Sequence, residues 1–442
     1  MKTYVLIPVS LLAGALGSAC DLGSTGGSTG GVEPEAGAAG AGPGSDSFAG
    51  AAGMGAGQAD ARCPRGTTIV LSDFLATQIA LSDLEGETLS ESFLSTASSR
   101  SSGLAFALSG DVVVPSAAPA SGRVVLLDRF GTNVITWLDP ATAEVLGQLA
   151  VGTGFESNPA DYLEIGETTA LVSRYGQNAS PGSSEHDSGG DLLIIDTDSY
   201  EIVGSIVFEP EDGLPPRPAG MARMNDEVVV ALERVSSDWI QWGDARLVGV
   251  SVADVERSWT LELVGLKNCG APVALPDGER WLVGCAGVMT FDGAEPDVDE
   301  SALVILDASE RPPREVERIP AEEIAGELIQ SDVELASGSL VLLKTQTAFG
   351  GPTNNRWIAY DLESSKTTTL VEAEPDSEGK GKGLVYGGMV CSPGCSEVCL
   401  LADAGAGVLR RVRVHPDGEL EPLAPVVVEE EVGLPPRGVA YR

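Results

Sequence analysis

TTIVLSDF (67–74) is the first of seven eight-residue segments built to one pattern. The others are RVVLLDRF (123–130), TALVSRYG (169–176), EVVVALER (227–234), RWLVGCAG (280–287), SLVLLKTQ (339–346) and EVCLLADA (397–404). Their starts lie 46 to 59 residues apart. Each copy is apolar at its third and fourth positions and turns polar or small at its end. Short runs of this kind, punctuated by Gly, Pro, Asp and Asn, read as strands. Self-similarity at a fixed period of this size marks a repeat architecture.

A second strand follows each copy. In five periods it ends in Asp before a tight turn, at Asp83, Asp139, Asp196, Asp307 and Asp361. An Asp carboxylate accepts backbone N–H groups two residues on, which fixes such a turn. A third strand follows, as in EIVGSIVF (201–208), and another precedes the copy, as in YLEI (162–165). In the second period Val112-Val113-Val114 competes for the role of second strand. Four strands per period, seven times, predict an all-β, seven-bladed β-propeller of four-stranded blades over 63–442. The chain ends in GLPPRGVAYR (433–442), and GLPPRPAGMAR (213–223) leads into the first strand of the fourth period. The C-terminal segment is therefore expected to supply the innermost strand of blade 1, whose other three strands come from 67–96. Such a clasp removes open sheet edges. A pair of β-sandwiches of about 190 residues each is the alternative; it does not account for the terminal repeat.

LLIIDTDSYEIVGSI (192–206) resembles the YVTN-type repeats of bacterial cell-surface propellers, which are WD40-like in architecture. The charge fits an exposed body. With 65 acidic and 27 basic residues the formal net charge is −38, which argues against nucleic acid and against docking on anionic lipid through a basic patch. A hydrophobic fraction of 43% suffices for a core.

The amino end reads as an address. Residues 1–20, MKTYVLIPVSLLAGALGSAC, hold Lys2, an apolar run from Val5 to Leu16, and small residues closing on Cys20. This resembles the lipobox of bacterial lipoproteins, with Gly17 where an aliphatic residue is usual. The resemblance implies lipidation of Cys20 and a membrane-anchored protein of the bacterial cell envelope, periplasm-facing or at the cell surface. Ordinary signal cleavage near Ala19 is the alternative. Residues 21–62 contain 13 Gly, 10 Ala and 6 Ser or Thr. That composition predicts a disordered tether spanning about 35 Å.

Six cysteines remain after Cys20, an even number in an exported chain. CSPGCSEVC lacks zinc-site spacing, so disulfides are expected rather than metal. The blade register places Cys269 opposite Cys285 and sets Cys391 and Cys399 on either side of one turn. Cys395 falls at the tip of that turn, at the end of the ring where Cys63 enters. The expected pairs are Cys269–Cys285, Cys391–Cys399 and Cys63–Cys395, the last locking the clasp.

With strands labelled A (inner) to D (outer), the B–C and D–A connections share one face, here called the top. Blades 3 to 6 carry long B–C loops that bring His186, Trp239, Trp242, Phe349 and Asn354 there. Aromatics with amides suit a protein, peptide or glycan ligand; packing of each tryptophan within its own loop is the alternative. Arg217 and Arg437, from the two GLPPR copies, are candidates to clamp an anion at the channel mouth. Alternatively each pairs with a nearby acid, Asp212 or Glu431. The polar ends of strand B (Asp73, Arg129, Arg174, Glu233, Lys344, Asp403) are expected to form ion pairs between blades. No nucleophile–base set, HExxH, P-loop or haem motif occurs, so no cofactor, metal or catalytic residue is assigned. The acidic run EPDVDE (295–300) lacks an EF-hand's spacing. The expectation is a binding or scaffold module. An enzyme acting on a polysaccharide or small anionic substrate, and a purely structural surface protein, are the alternatives.

Overall fold

The computed structural model describes residues 63–97, 103–129, 131–288, 296–346, 354–375, 377, 379, 385–431 and 433–442. The signal segment, Cys20, the tether and Phe349 lie outside the described residues. Strands B are buried on both faces because a neighbouring blade covers each. Thr67–Ser72 (β1) and Val124–Asp128 (β5) are buried at every position. This is why the copies read as nearly continuous apolar runs. Strands D have only one covered face, and Glu201–Val207 (β11) leaves Glu201, Val203 and Val207 exposed.

Among the described residues twenty-eight strands form seven four-stranded antiparallel sheets, so the fold is a seven-bladed β-propeller. Blade 1 runs Pro436–Tyr441 (β28), β1, Thr77–Ser82 (β2) and Thr88–Ser95 (β3). Blade 2 runs Val112–Val113 (β4), β5, Val134–Leu138 (β6) and Val145–Ala150 (β7). Val112-Val113 is therefore an inner strand, which removes the ambiguity of the second period. Blade 3 comprises Pro159–Glu164 (β8), Thr169–Gln177 (β9), Gly189–Asp196 (β10) and β11. Blade 4 comprises Pro218–Met224 (β12), Glu227–Leu232 (β13), Ala245–Ser251 (β14) and Arg257–Leu263 (β15). Blade 5 is Val273–Ala274 (β16), Arg280–Ala286 (β17), Ser301–Asp307 (β18) and Arg314–Pro320 (β19). Blade 6 is Glu334–Ser337 (β20), Leu340–Lys344 (β21), Arg356–Asp361 (β22) and Lys366–Glu372 (β23). Blade 7 is Tyr386–Val390 (β24), Val398–Asp403 (β25), Val408–Val414 (β26) and Leu420–Val426 (β27).

The C–D turns use the aspartates as expected. Asp139 accepts the N–H groups of Ala141 and Thr142, each at 2.9 Å, and Asp196 those of Asp198 and Ser199, also at 2.9 Å. These bonds hold both exposed carboxyls below the usual range.

The core is a ring of seven apolar clusters, each between two adjacent blades. The cluster joining blades 7 and 1 contains Ile69, Leu71, Val398, Leu400 and Val439. Here the ends of the body meet. β28 pairs antiparallel with β1, Thr67 opposite Tyr441 and Ile69 opposite Val439. The inner strands of the two blades touch backbone to backbone. A Cβ on Gly387 would collide with the Arg437 carbonyl, and one on Gly388 would stand 2.7 Å from the Val439 nitrogen.

Three disulfides join Cys63 to Cys395, Cys269 to Cys285 and Cys391 to Cys399. They fit an oxidising, exported environment. Cys269 precedes β16 and meets Cys285 through an isolated bridge, because Gly270-Ala271-Pro272 interrupts the inner strand. No described helix is long and apolar enough to cross a membrane.

Cys63–Cys395 closes a loop with a sequence separation of 332. Restricting the unfolded chain over that length stabilises by about 6 kcal/mol in the chain-entropy model. The Cys63→Ser, Cys395→Ser double variant should therefore unfold at clearly lower denaturant concentration. Non-reducing peptide mapping of the parent should recover Cys63 linked to Cys395.

Candidate functional site

Both GLPPR copies extend a sheet at the top. Pro216 and Arg217 offer their carbonyls to the N–H groups of Arg234 and Glu233, at 3.1 and 3.2 Å, at the end of β13. Pro435 does the same for Ser72, at 2.9 Å, at the end of β1. Each arginine then turns onto an aromatic ring. The Arg217 guanidinium lies 5.2 Å from the Tyr175 ring centroid, and that of Arg437 lies 4.3 Å from Phe74. Arg217 donates to the carbonyls of Tyr175 (3.1 Å) and Val235 (3.3 Å), and Arg437 to that of Ser72 (2.8 Å). Burial lowers both guanidinium pKa values. Among the described residues neither arginine forms an ion pair. Asp212, the expected partner of Arg217, pairs with Arg234 instead (3.3 Å). Both arginines thus brace aromatic rings.

Tyr175 is the centre of the blade 3–blade 4 junction. Its hydroxyl donates to Glu233 at 2.6 Å. Its ring stacks on Trp239, centroids 5.8 Å apart and planes 13° from parallel. Trp239 and Ile240 sit at the tip of a small hairpin within the B–C loop of blade 4. Val235 bridges Trp242, and Ser236 donates its N–H to the Gln241 carbonyl at 2.9 Å. The Asp238 carboxylate caps the tip, accepting the Ser236 hydroxyl (2.5 Å) and the Ile240 N–H (3.2 Å). The Trp242 indole N–H donates to the Trp239 carbonyl at 3.2 Å. Trp242 therefore packs its own loop. Trp239 reaches the neighbouring blade and remains 55% exposed.

Backbone strain gathers at this junction. Asp212, Arg217, Arg234 and Trp239 have φ of 55°, 54°, 53° and 62°. Non-glycine residues there cost about 1–3 kcal/mol each and persist where the surroundings over-determine them.

The remaining predicted residues lie elsewhere. His186 presents its carbonyl to Arg174 (2.6 Å) and Thr153 (2.7 Å), and its ring Nδ1 meets the Ser205 hydroxyl at 3.0 Å on β11, the outer strand of blade 3. Asn354 is half-buried in blade 6, and its Oδ1 has no hydrogen-bond partner among the described residues. The strand B ends correct an expectation. Arg129 pairs with Asp111, Arg174 with Asp191 and Asp403 with Arg410, each at 2.6 Å and each within one blade. At these positions the links between blades are single hydrogen bonds, Tyr175 to Glu233 and Lys344 to the Gly387 carbonyl (2.6 Å), while ion pairs between blades lie elsewhere, as Arg411 to Glu87 (2.6 Å). Asp297, in the acidic run, caps the turn Val298–Glu300.

Sequence reasoning missed Tyr175 and Glu233 as site members. One signal was present: the first three strand copies carry an aromatic at or next to their last position, at Phe74, Phe130 and Tyr175.

Two half-buried carboxyls titrate high. Burial raises Glu233 to about 7, against the favourable Tyr175 hydroxyl and Arg217 charge. Burial and then the nearby Asp332 charge raise Glu334, on β20, to about 8, against the Cys391 N–H. The unfolded chain loses these protons near pH 4.5, while the folded protein holds them to about 7 and 8. Stability from each group is therefore whole below pH 4.5 and is lost as pH rises through the folded value. Glu334→Gln should raise Tm at pH 8.5 by about 2 °C or more. The gain should vanish by pH 4.5 in paired thermal scans.

No family model and no curated protein matches the chain. Among solved structures it is similar to a protein of Lactobacillus plantarum, 12% identical over 86% of this chain and 100% of that one, with a TM-score of 0.55. A hypothetical selenium-binding protein of Sulfolobus tokodaii is likewise 12% identical, over 86% of this chain and 94% of that one, with a TM-score of 0.55. At this identity both likenesses speak for the fold, the seven-bladed β-propeller.

Proposed function

We propose that this protein is an exported, lipid-anchored propeller of the bacterial envelope that serves as a binding module, engaging a protein partner through its top face. One observation carries the reading. Among the described residues, exposed large apolar side chains occur in two places only. Five lie on outer strands: Leu89, Leu146, Val203, Val207 and Val316. The other seven lie in B–C or D–A connections: Phe74, Leu75, Phe106, Trp239, Ile240, Val264 and Val427. The A–B and C–D turns of the opposite face hold none. Loop-borne apolar exposure confined to one face supports an interaction surface there. Its aliphatic share, with Leu75, Ile240, Val264 and Val427 beside the aromatics, suits a protein better than a sugar. The propeller supports this reading as a rigid frame, and the small-residue run ending in Cys20 supports the anchor.

A photo-crosslinking residue placed at Leu75 or Ile240 in the full-length protein, in cells, should give a discrete protein adduct. The same residue at Asp254 or Glu363, on the opposite face, should give none. Equal labelling of both faces would remove the top face from the function. Cys20→Ala should move the protein from the membrane pellet to the soluble fraction.

A further inference from the structure

The Trp239 junction has a composition that specifies what it takes. The hairpin tip offers three things together. Trp239 is stacked on one face by Tyr175 and remains half exposed. Asp238 is exposed beside it, and its carboxyl is held below the usual range by the Ser236 hydroxyl and the Ile240 N–H. Glu233 lies at the base of the hairpin and accepts one hydrogen bond among the described residues, from Tyr175 to Oε2, which leaves Oε1 unengaged. Of the two cations at the junction, Arg234 pairs with Asp212 and Glu262, and Arg217 is buried, is directed at the Tyr175 and Val235 carbonyls and covers the Tyr175 ring, so neither neutralises Glu233 by a direct ion pair. An indole face bordered by carboxylates is the chemistry that holds a guanidinium or ammonium group. The surrounding field has the same sense: a chain of net charge −38 attracts cationic segments and repels acidic ones.

Resting on the reading of the top face as a binding surface, we infer that the blade 4 hairpin and Glu233 form a receptor for an arginine or lysine side chain of the protein partner. The cation lies against Trp239, with Asp238 as its counter-charge and Glu233 as a second acceptor that ionises as the cation approaches. The Tyr175 stack and the hydrogen bonds of the hairpin tip hold this arrangement, strained backbone included, before the partner arrives. Arg217 is then a positioning residue: it braces Tyr175, which carries both the Trp239 stack and the Glu233 hydrogen bond.

The test uses the full chain with acetyl-(Arg)4-amide as probe, and acetyl-(Gln)4-amide, acetyl-(Glu)4-amide and cellohexaose as comparators. Binding is read by calorimetry and by tryptophan fluorescence. The arginine peptide should bind saturably and the other three should not. Affinity should fall at least tenfold in Trp239→Ala and about fivefold in Glu233→Gln, with Trp239→Phe in between. Asp254→Asn, which removes an acid from the opposite face, should leave it unchanged. Equal affinity in the parent and in Trp239→Ala would mean diffuse attraction to an acidic surface and would overturn the site. Saturable binding of cellohexaose or the glutamate peptide in place of the arginine peptide would overturn the cation class. Top-face crosslinks that persist in either case would leave the binding-module reading standing.

Discussion

Everything in this molecule depends on the pairing of β28 with β1. A blade is a small sheet that cannot bury both its faces alone; each face needs a neighbour. Six of the seven blades take all four strands from one run of chain, and blade 1 takes its inner strand from the other end. Without that strand, the cluster of Ile69, Leu71, Leu400 and Val439 would open to water, and β1 would become a bare edge of blade 1. Three constraints of different kinds act at the same seam. They are the backbone ladder, the glycine-only approach of Gly387 and Gly388 to Arg437 and Val439, and the Cys63–Cys395 bond. The seam is the one place where the ring is not held by chain continuity, so it is also where a covalent latch contributes most.

The two GLPPR copies have a common physical role. In each, the proline-rich segment adds hydrogen bonds to the end of a strand B and aims a guanidinium at an aromatic ring. The carbonyls that take the donors are neutral, so the arginines remain cations beside rings rather than halves of salt bridges. A cation over a ring in a partly desolvated setting contributes about 1–2 kcal/mol. That suffices to hold Phe74 at the surface and to fix the buried Tyr175 ring in place.

The fold was legible because its signal is local and repeated. Strand B has a neighbour on both faces, so every copy must be apolar there, and the Asp that fixes the next turn acts over two or three residues. Strand D shows the limit: with one covered face and only β11-like alternation, it is faint in sequence. The site was legible in part. Trp239, Trp242 and Arg217 stood out as residue types in loops. Their arrangement did not, because the deciding contacts cross from blade 3 to blade 4 and depend on how the ring brings Tyr175 against the hairpin. The expected ion pairs between blades failed for a related reason. The end of strand B lies nearest the flanking strands of its own blade, so Arg174 finds Asp191 on β10 before it can reach a neighbour.

The location of the site follows from chain geometry. On the lower face every connection joins adjacent strands of one blade, and a few residues suffice, as Asn225-Asp226 do between β12 and β13. On the upper face the chain must also pass from the outer strand of one blade to the inner strand of the next. Long connections therefore accumulate there, and B–C loops can lengthen without disturbing the core. The junction of Tyr175, Arg217, Glu233 and Trp239 uses all of these resources: a strand end of blade 3, the crossing between blades 3 and 4, and the B–C hairpin of blade 4. A surface assembled from two blades has the rigidity of their shared core, in which Leu171, Leu192, Val228 and Val230 are fully buried. That rigidity allows a strained, half-exposed tryptophan to keep one orientation, and it ties recognition at the rim to closure of the ring.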